Sequence, residues 1–300
     1  MRILTRGDFD GLTCSVLLTE VEQVKEIRFA HPKDAQDGKV QATSEDIVVN
    51  IPYVRGCGLW FDHHISEEGM LPKVEGFKGR FERAPSCARV VYNHYAPRFR
   101  EKLDRFKEML EATDRLDSAQ LTLRDVESPV GWILFGLTID PRSGLGPEFQ
   151  RYFRWLAEYV KEVPVKKVLE HREVKIRTDR ILFEQEEFKM LAGKCARRDG
   201  TVIVTDFRKV KDKPVGNRFL IYTMYPEANV EMRLFSGHQG AVVAAVGHSI
   251  FNRTCKVNVG ELLARFGGGG HRGAGTVQLE PAKAESAVEE ILKALKENKG

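Results

Sequence analysis

The first 65 residues alternate short, mostly apolar runs with polar stretches. The runs at 3–5, 27–30, 47–49 and 59–61 are each bounded by turn or polar residues. Continuous apolar runs of this kind predict strands buried on both faces, the pattern of a parallel sheet. Between the first two, residues 12–18 are mostly apolar and compatible with a helix, so the chain opens as strand, polar loop, helix. Ser86 is placed to cap a helix over 87–95. Residues 100–110 carry helical periodicity, and 149–160 predict an amphipathic helix with aromatics at Phe149, Tyr152, Phe153 and Trp155.

From 166 to about 194 the sequence is rich in charge and free of proline, which predicts one long helix or two shorter ones. Val168, Val174, Ile176, Ile181 and Leu182 would keep it partly buried. After Gly200 the character changes. Residues 201–207, 219–225, 231–235, 241–246 and 276–279 predict strands, and 259–266 and 284–295 predict helices. The expected fold class is α/β: an N-terminal parallel-sheet domain over 1–175, a connector helix over 176–199, and a smaller C-terminal α/β domain over 200–300, with a cleft between the two domains. No internal repeat or low-complexity linker interrupts the pattern.

Composition narrows the class without naming a function. Hydrophobic residues make up 42% of the 300 and charged residues 30%, which excludes a disordered or fibrous chain. A formal charge of +4 suits an anionic ligand but is too small to point to nucleic acid by itself. The five cysteines form no C-x-x-C pair, so neither a disulfide framework nor a structural zinc site is expected. No apolar stretch reaches the ~20 residues of a membrane span, and the start lacks a secretory core. The expected compartment is the cytoplasm.

Three clusters carry candidate chemistry. Asp8-x-Asp10-Gly11 follows the first strand, where open α/β sheets place their sites. Two carboxylates so close can share a hard divalent cation, although the same residues also suit a solvated Asp-Gly turn. Asp62-His63-His64 follows the strand ending at Phe61, and imidazole with carboxylate suits manganese, iron or zinc. Asp114 and Asp117 lie where a helix ends and could complete such a pocket. Finally, Gly267, Gly268, Gly269 and Gly270 precede His271 and Arg272. A glycine run inside a domain lets backbone N–H groups converge on an anion, with His271 and Arg272 as added donors.

Taken together and in this order, these motifs resemble the DHH family of phosphoesterases, and the resemblance runs through nearly the whole chain. It covers the segment 5–11, the Asp62-His63-His64 signature, the acidic segment near Asp114, and the glycine run with His271 in a DHH-associated domain. The family includes single-strand exonucleases, oligoribonucleases, cyclic-dinucleotide phosphodiesterases and exopolyphosphatases. The resemblance implies a manganese centre with Asp8, Asp10, His63 and Asp114 as ligands and Asp117 as the substitute for Asp114. It implies that Asp62 supports a ligand from behind and that His64 neighbours a ligand or meets phosphate. Ser249, Asn252, Arg253, His271 and the glycine segment would face the substrate.

Three positions depart from the family pattern. Arg6 stands where histidine is usual, Asn50 where a bridging aspartate is usual, and His248 where arginine is common. Arginine has no lone pair for a cation, and asparagine offers only a neutral carbonyl oxygen. The expected cofactor is therefore one divalent ion rather than two, manganese first, with magnesium or another divalent ion compatible. Arg6 would supply the charge of the missing ion and grip a phosphate oxygen. The expected activity is hydrolysis of a phosphodiester or phosphoanhydride in a nucleotide, short oligonucleotide or polyphosphate. Arg6, Asp8, Asp10, His63 and His64 would act in catalysis. The alternative is a nucleotide- or phosphate-binding regulatory protein without turnover. The expected partner is a phosphate-containing small molecule or short single strand, not a membrane; a homodimer is open.

Overall fold

The computed structural model describes residues 1–64, 76–139, 146–211 and 216–300. The chain divides into two compact units: residues 1–120 with 129–179, and residues 121–128 with 180–300. The predicted boundary near 175 therefore needs two refinements. The division falls inside a helix, and the short segment 121–128 leaves the first unit to join the second.

The first unit is built on five parallel strands, β1 (Arg2–Thr5), β2 (Glu26–Phe29), β3 (Asp46–Val49), β4 (Leu59–Asp62) and β5 (Gly79–Phe81), in the order β2-β1-β3-β4-β5. Ile3, Ile47, Val48, Val49, Trp60 and Phe61 are wholly buried, as continuous apolar strands require when both faces are covered. Arg2 sits opposite Asp46 in the β1–β3 register and bonds both carboxylate oxygens at 2.7 Å, pinning the two strands. Between β1 and β2 runs α1 (Phe9–Val21), buried along residues 9–18, where Asp10, Thr13 and Ser15 are buried with the apolar side chains. It is followed by the short α2 (Pro32–Gln36). Later in the chain come α3 (Cys87–Leu103), α4 (Lys107–Asp117), α6 (Gly131–Gly136), α7 (Pro147–Glu162) and α8 (Val165–Glu170) of this unit, α5 (Leu123–Glu127) of the second unit, and α9 (Arg172–Cys195), which spans the division. α1 packs against α3, α4 and α7. The 166–194 region takes the two-helix alternative, broken at His171, whose extended backbone closes α8.

The strand order reverses between β1 and β3: the chain goes one way to β2 and returns to place β3 on the other side of β1. Loops leaving the carboxyl ends of strands on either side of such a switch diverge and open a crevice. Residues 6–8, Asn50 and 63–64 all leave strands at this end.

The second unit holds a six-stranded mixed sheet in the order β10-β11-β9-β8-β7-β6. Its strands are β6 (Ala196–Asp199), β7 (Val202–Asp206), β8 (Val230–Ser236), β9 (Val242–His248), β10 (Gly269–His271) and β11 (Ala274–Leu279). The helices α10 (Leu220–Met224), α11 (Val259–Ala264) and α12 (Ala284–Glu297) complete it. One sheet face packs Val202, Val204, Met232, Val246 and Val277 with Leu263, Val288 and Ile291. The apolar segment 219–225 is a short helix, not the predicted strand. A brief apolar run has no period that separates the two, and its burial of Leu220, Ile221 and Tyr222 is satisfied in either form.

Candidate metal centre

Asp8 ends the β1 loop as the N-cap of α1. Its Oδ1 accepts from the Gly11 amide at 2.9 Å and from Asn50 Nδ2 at 2.8 Å, while its Oδ2 faces Arg6 Nε at 3.1 Å. Asn50 follows β3 in the left-handed region at φ 56°, which asparagine tolerates better than most residues, and is 1% exposed. Burial pushes the Asp8 carboxyl up, against the charge of Arg6 and the Gly11 bond.

Two residues on, Asp10 lies in the first turn of α1 and is 2% exposed. The first amides of α3 hold it: Cys87 N donates to Oδ2 and Ala88 N to Oδ1, both at 2.8 Å. A helix N-terminus suits a carboxylate because its amides lack partners within the helix. Burial and the neighbouring charge of Asp8 nevertheless raise Asp10 to about 7.

His63 leaves β4 and lies against Asp10. Its Nδ1 is 3.0 Å from the Ala84 carbonyl, which can only accept, so Nδ1 carries the proton and Nε2 is left with its lone pair. That Nε2 is buried without a hydrogen bond. It stands 3.2 Å from Asp117 Oδ2 and 3.7 Å from Asp10 Oδ2. Asp117, at the end of α4, is raised to about 7, chiefly by burial and then by Asp10. One ligand atom from each of Asp10, His63 and Asp117 lies within 4.8 Å of the others. Two carboxylates raised first by burial and then by a neighbouring carboxylate, beside an imidazole lone pair, fit a divalent cation: it would stabilise their ionised forms and accept the Nε2 lone pair.

Asp62, wholly buried, accepts His63 N at 2.9 Å and pairs with His64 Nδ1 at 2.7 Å through Oδ1, while its Oδ2 has no hydrogen bond. Burial opposes charge on His64, but the bond and charge of Asp62, with Asp117 and Asp10 behind, raise it to about 9. Asp62, His63 and His64 form a second set of donors within 4.8 Å.

Asp114, expected as a ligand before Asp117, is not in either set. It accepts from Ser86 Oγ at 2.7 Å and takes a two-pronged bond from Arg89 at 2.9 and 2.5 Å. Three residues further along the helix, Asp117 is the acid that meets His63. Asp8 and Asn50 also stand outside both sets, engaged with one another. Sequence reasoning missed Ala84, the amides of 87 and 88, and Arg89. A backbone group leaves no trace in residue type; only the capping serine at 86 was a signal for this corner.

In the second unit the glycine run is not a simple loop. Gly267, at φ 81°, lies in the turn after α11, and 269–271 form the edge strand β10 of a hairpin with β11. Gly270 (φ 153°) has no room for a side chain, since a Cβ there would stand 2.2 Å from the Ala274 carbonyl oxygen. His271 Nδ1 accepts from Gly273 N, and Arg272 bonds the Lys256 carbonyl. Ser249 Oγ accepts the amides of Phe251 and Asn252, and the Asn252 side chain bonds Glu227 and Thr254. Arg253 bonds the Ile250 carbonyl. His248 Nε2 lies 3.0 Å from the Val257 carbonyl.

The parallel sheet places a carboxylate–imidazole cluster at its switch point, a site able to hold a divalent cation. The chain is 35% identical to the pGpG-specific phosphodiesterase PggH from Vibrio cholerae, with a TM-score of 0.89 and an alignment covering 99% of each chain. The chain belongs to the DHH family of phosphoesterases, which are hydrolytic enzymes. A DHH domain from the s1p family of ribosomal proteins superposes at TM-score 0.58 with 14% identity, over 100% of this chain and 87% of that one. RecJ from Thermus thermophilus in complex with Mn2+ superposes at 0.51 with 14% identity, over 99% of this chain and 52% of that one. These last two share the fold. A 43-residue stretch, 14% of the chain, is 54% identical to the A-adding tRNA nucleotidyltransferase of Aquifex aeolicus and spans 5% of that protein. No protein-family model matches the chain. Among the described residues, no helix is long and apolar enough to cross a membrane.

Proposed function

We propose that this chain hydrolyses a phosphodiester bond in a nucleotide or short linear oligonucleotide, with one divalent cation held by Asp10, His63 and Asp117. The buried, unbonded Nε2 of His63 between two raised carboxylates carries the reading. Likeness along the whole chain to a pGpG-specific phosphodiesterase supports a guanine dinucleotide as the first substrate to test. Manganese is the first ion to test, magnesium the second.

A bound divalent cation supplies Lewis-acid chemistry, neutralising phosphate charge and acidifying water. The chain's own residues do the rest. The α3 amides orient Asp10, and the Ala84 carbonyl fixes the His63 tautomer. His64, charged through Asp62 and 38% exposed in its side chain, keeps its proton at Nδ1 and offers Nε2–H to a phosphate oxygen. In the second unit, the edge strand β10 with His271 and Arg272 is proposed to bind phosphate.

The test is hydrolysis of pGpG, other short oligonucleotides, cyclic dinucleotides and polyphosphate with Mn2+. Turnover of pGpG is expected, with a loss of at least about 100-fold in Asp10→Asn and His63→Ala at unchanged folding. Binding of these compounds without turnover of any would favour the regulatory alternative.

A further inference from the structure

The contacts of Asp8 lead beyond that reading while resting on its cation site. Asp8 Oδ1 is taken by two donors, the Gly11 amide and Asn50 Nδ2, and Oδ2 faces the Arg6 guanidinium. Asp8 belongs to neither group of atoms close enough to share an ion. The charges balance in two separate pairs. Asp10 and Asp117 match one divalent cation, and Asp8 matches Arg6. Asn50 is neutral, so no negative charge remains beside Asp8 to draw a second ion.

Arg6 is held from one side only. Nε is the guanidinium atom that meets Asp8, the side chain is 40% exposed, and among the described residues the guanidinium pairs with no residue but Asp8. A guanidinium anchored through Nε presents its terminal nitrogens outward, and their fork matches two oxygens of a phosphate. The anchor is itself rigid. Asp8 caps α1, and Asn50 is buried in a left-handed turn at the end of β3. Side chains from the segments that follow β1 and β3 thus build the grip across the switch point.

We propose that Arg6 is a substrate-phosphate clamp in place of a second cation, and that Asp8 and Asn50 serve as its carriers rather than as metal ligands. The centre then contains one ion and one guanidinium, and its ligand class is a phosphate group with two free oxygens.

Isothermal titration of the full-length protein tests this with two probes, Mn2+ and inorganic phosphate. One Mn2+ per chain is expected, and two bound tightly would overturn the proposal. Arg6→Gln and Arg6→Lys should each weaken phosphate binding at least about 10-fold and raise KM for pGpG. The Mn2+ stoichiometry and affinity should stay within about 3-fold of the unaltered protein. Lysine keeps the charge but not the fork, so an Arg6→Lys protein that binds phosphate normally would also refute a bidentate grip. The double variant Arg6→His/Asn50→Asp places two new ligands beside Asp8, and a second Mn2+ is expected to bind. Failure of the cation reading looks different: Mn2+ would not bind, or would bind equally well to Asp10→Asn. Thermal melts of each variant show that folding is kept.

Discussion

At the scale of single residues, proton and cation compete for the same groups. Asp10 and Asp117 are raised from an ordinary value of 3.8 to about 7, each first by burial. Without an ion, the folded chain holds protons between about pH 4 and 7 that the unfolded chain has released. Its stability therefore falls as pH rises through that window, and the full penalty is present above about 7. A divalent cation binds the ionised pair and removes the penalty, while at low pH it must first displace protons. The Mn2+-induced rise in melting temperature is accordingly expected to be larger at pH 8 than at pH 5.5. Scanning calorimetry at the two pH values checks this, and a larger rise at pH 5.5 would mean that these carboxylates do not hold the ion.

Among elements, α3 does more than cover the sheet. Its cap, Ser86, accepts the Arg89 amide at 3.0 Å and donates to Asp114, and its next two amides hold Asp10. Fold and site thus share one helix turn. Ser86→Ala removes the cap, which costs about 1 kcal/mol, and takes a donor from Asp114, which adds up to about 1 kcal/mol more. Urea unfolding should show a loss of about 1–2 kcal/mol together with weaker Mn2+ binding, because Asp10 loses its fixed orientation. Ser86→Thr keeps the hydroxyl and should restore both. A Ser86→Ala protein with full stability and full Mn2+ affinity would show the corner to be dispensable. The cap itself was legible as a serine before a helical run. Its bond to Asp114 was not, because that acid lies 28 residues away on another helix.

For the whole molecule, the chain does not divide at a single point. The segment 121–128 leaves the first unit and returns, and α5 within it supplies the second unit with Val126, wholly buried. The Val126 carbonyl accepts from the buried Gln185 Nε2 at 3.0 Å. A fragment of residues 180–300 would lack that apolar group and that acceptor. It is expected to unfold at lower urea and less cooperatively than the same fragment carrying 121–128 on a linker, as circular dichroism would report. Equal midpoints would mean that α5 adds nothing to that core.

Much of the architecture lay open in local pattern. Apolar runs at 3–5, 47–49 and 59–61 are strands in the structure because continuous burial needs no distant information. The sequence by itself determined the two-sheet α/β character, the ends of strands at which acids and histidines would gather, and the chemical kinds available there. Only the tertiary structure decided which groups meet. It set Asp117 rather than Asp114 against His63, tied Asp8 to Arg6 and Asn50, and turned 219–225 into a helix. The physical reason is that a ligand set and a charge pair are matters of distance. Distance between residues far apart in the chain comes from strand order and helix packing, which no local period encodes.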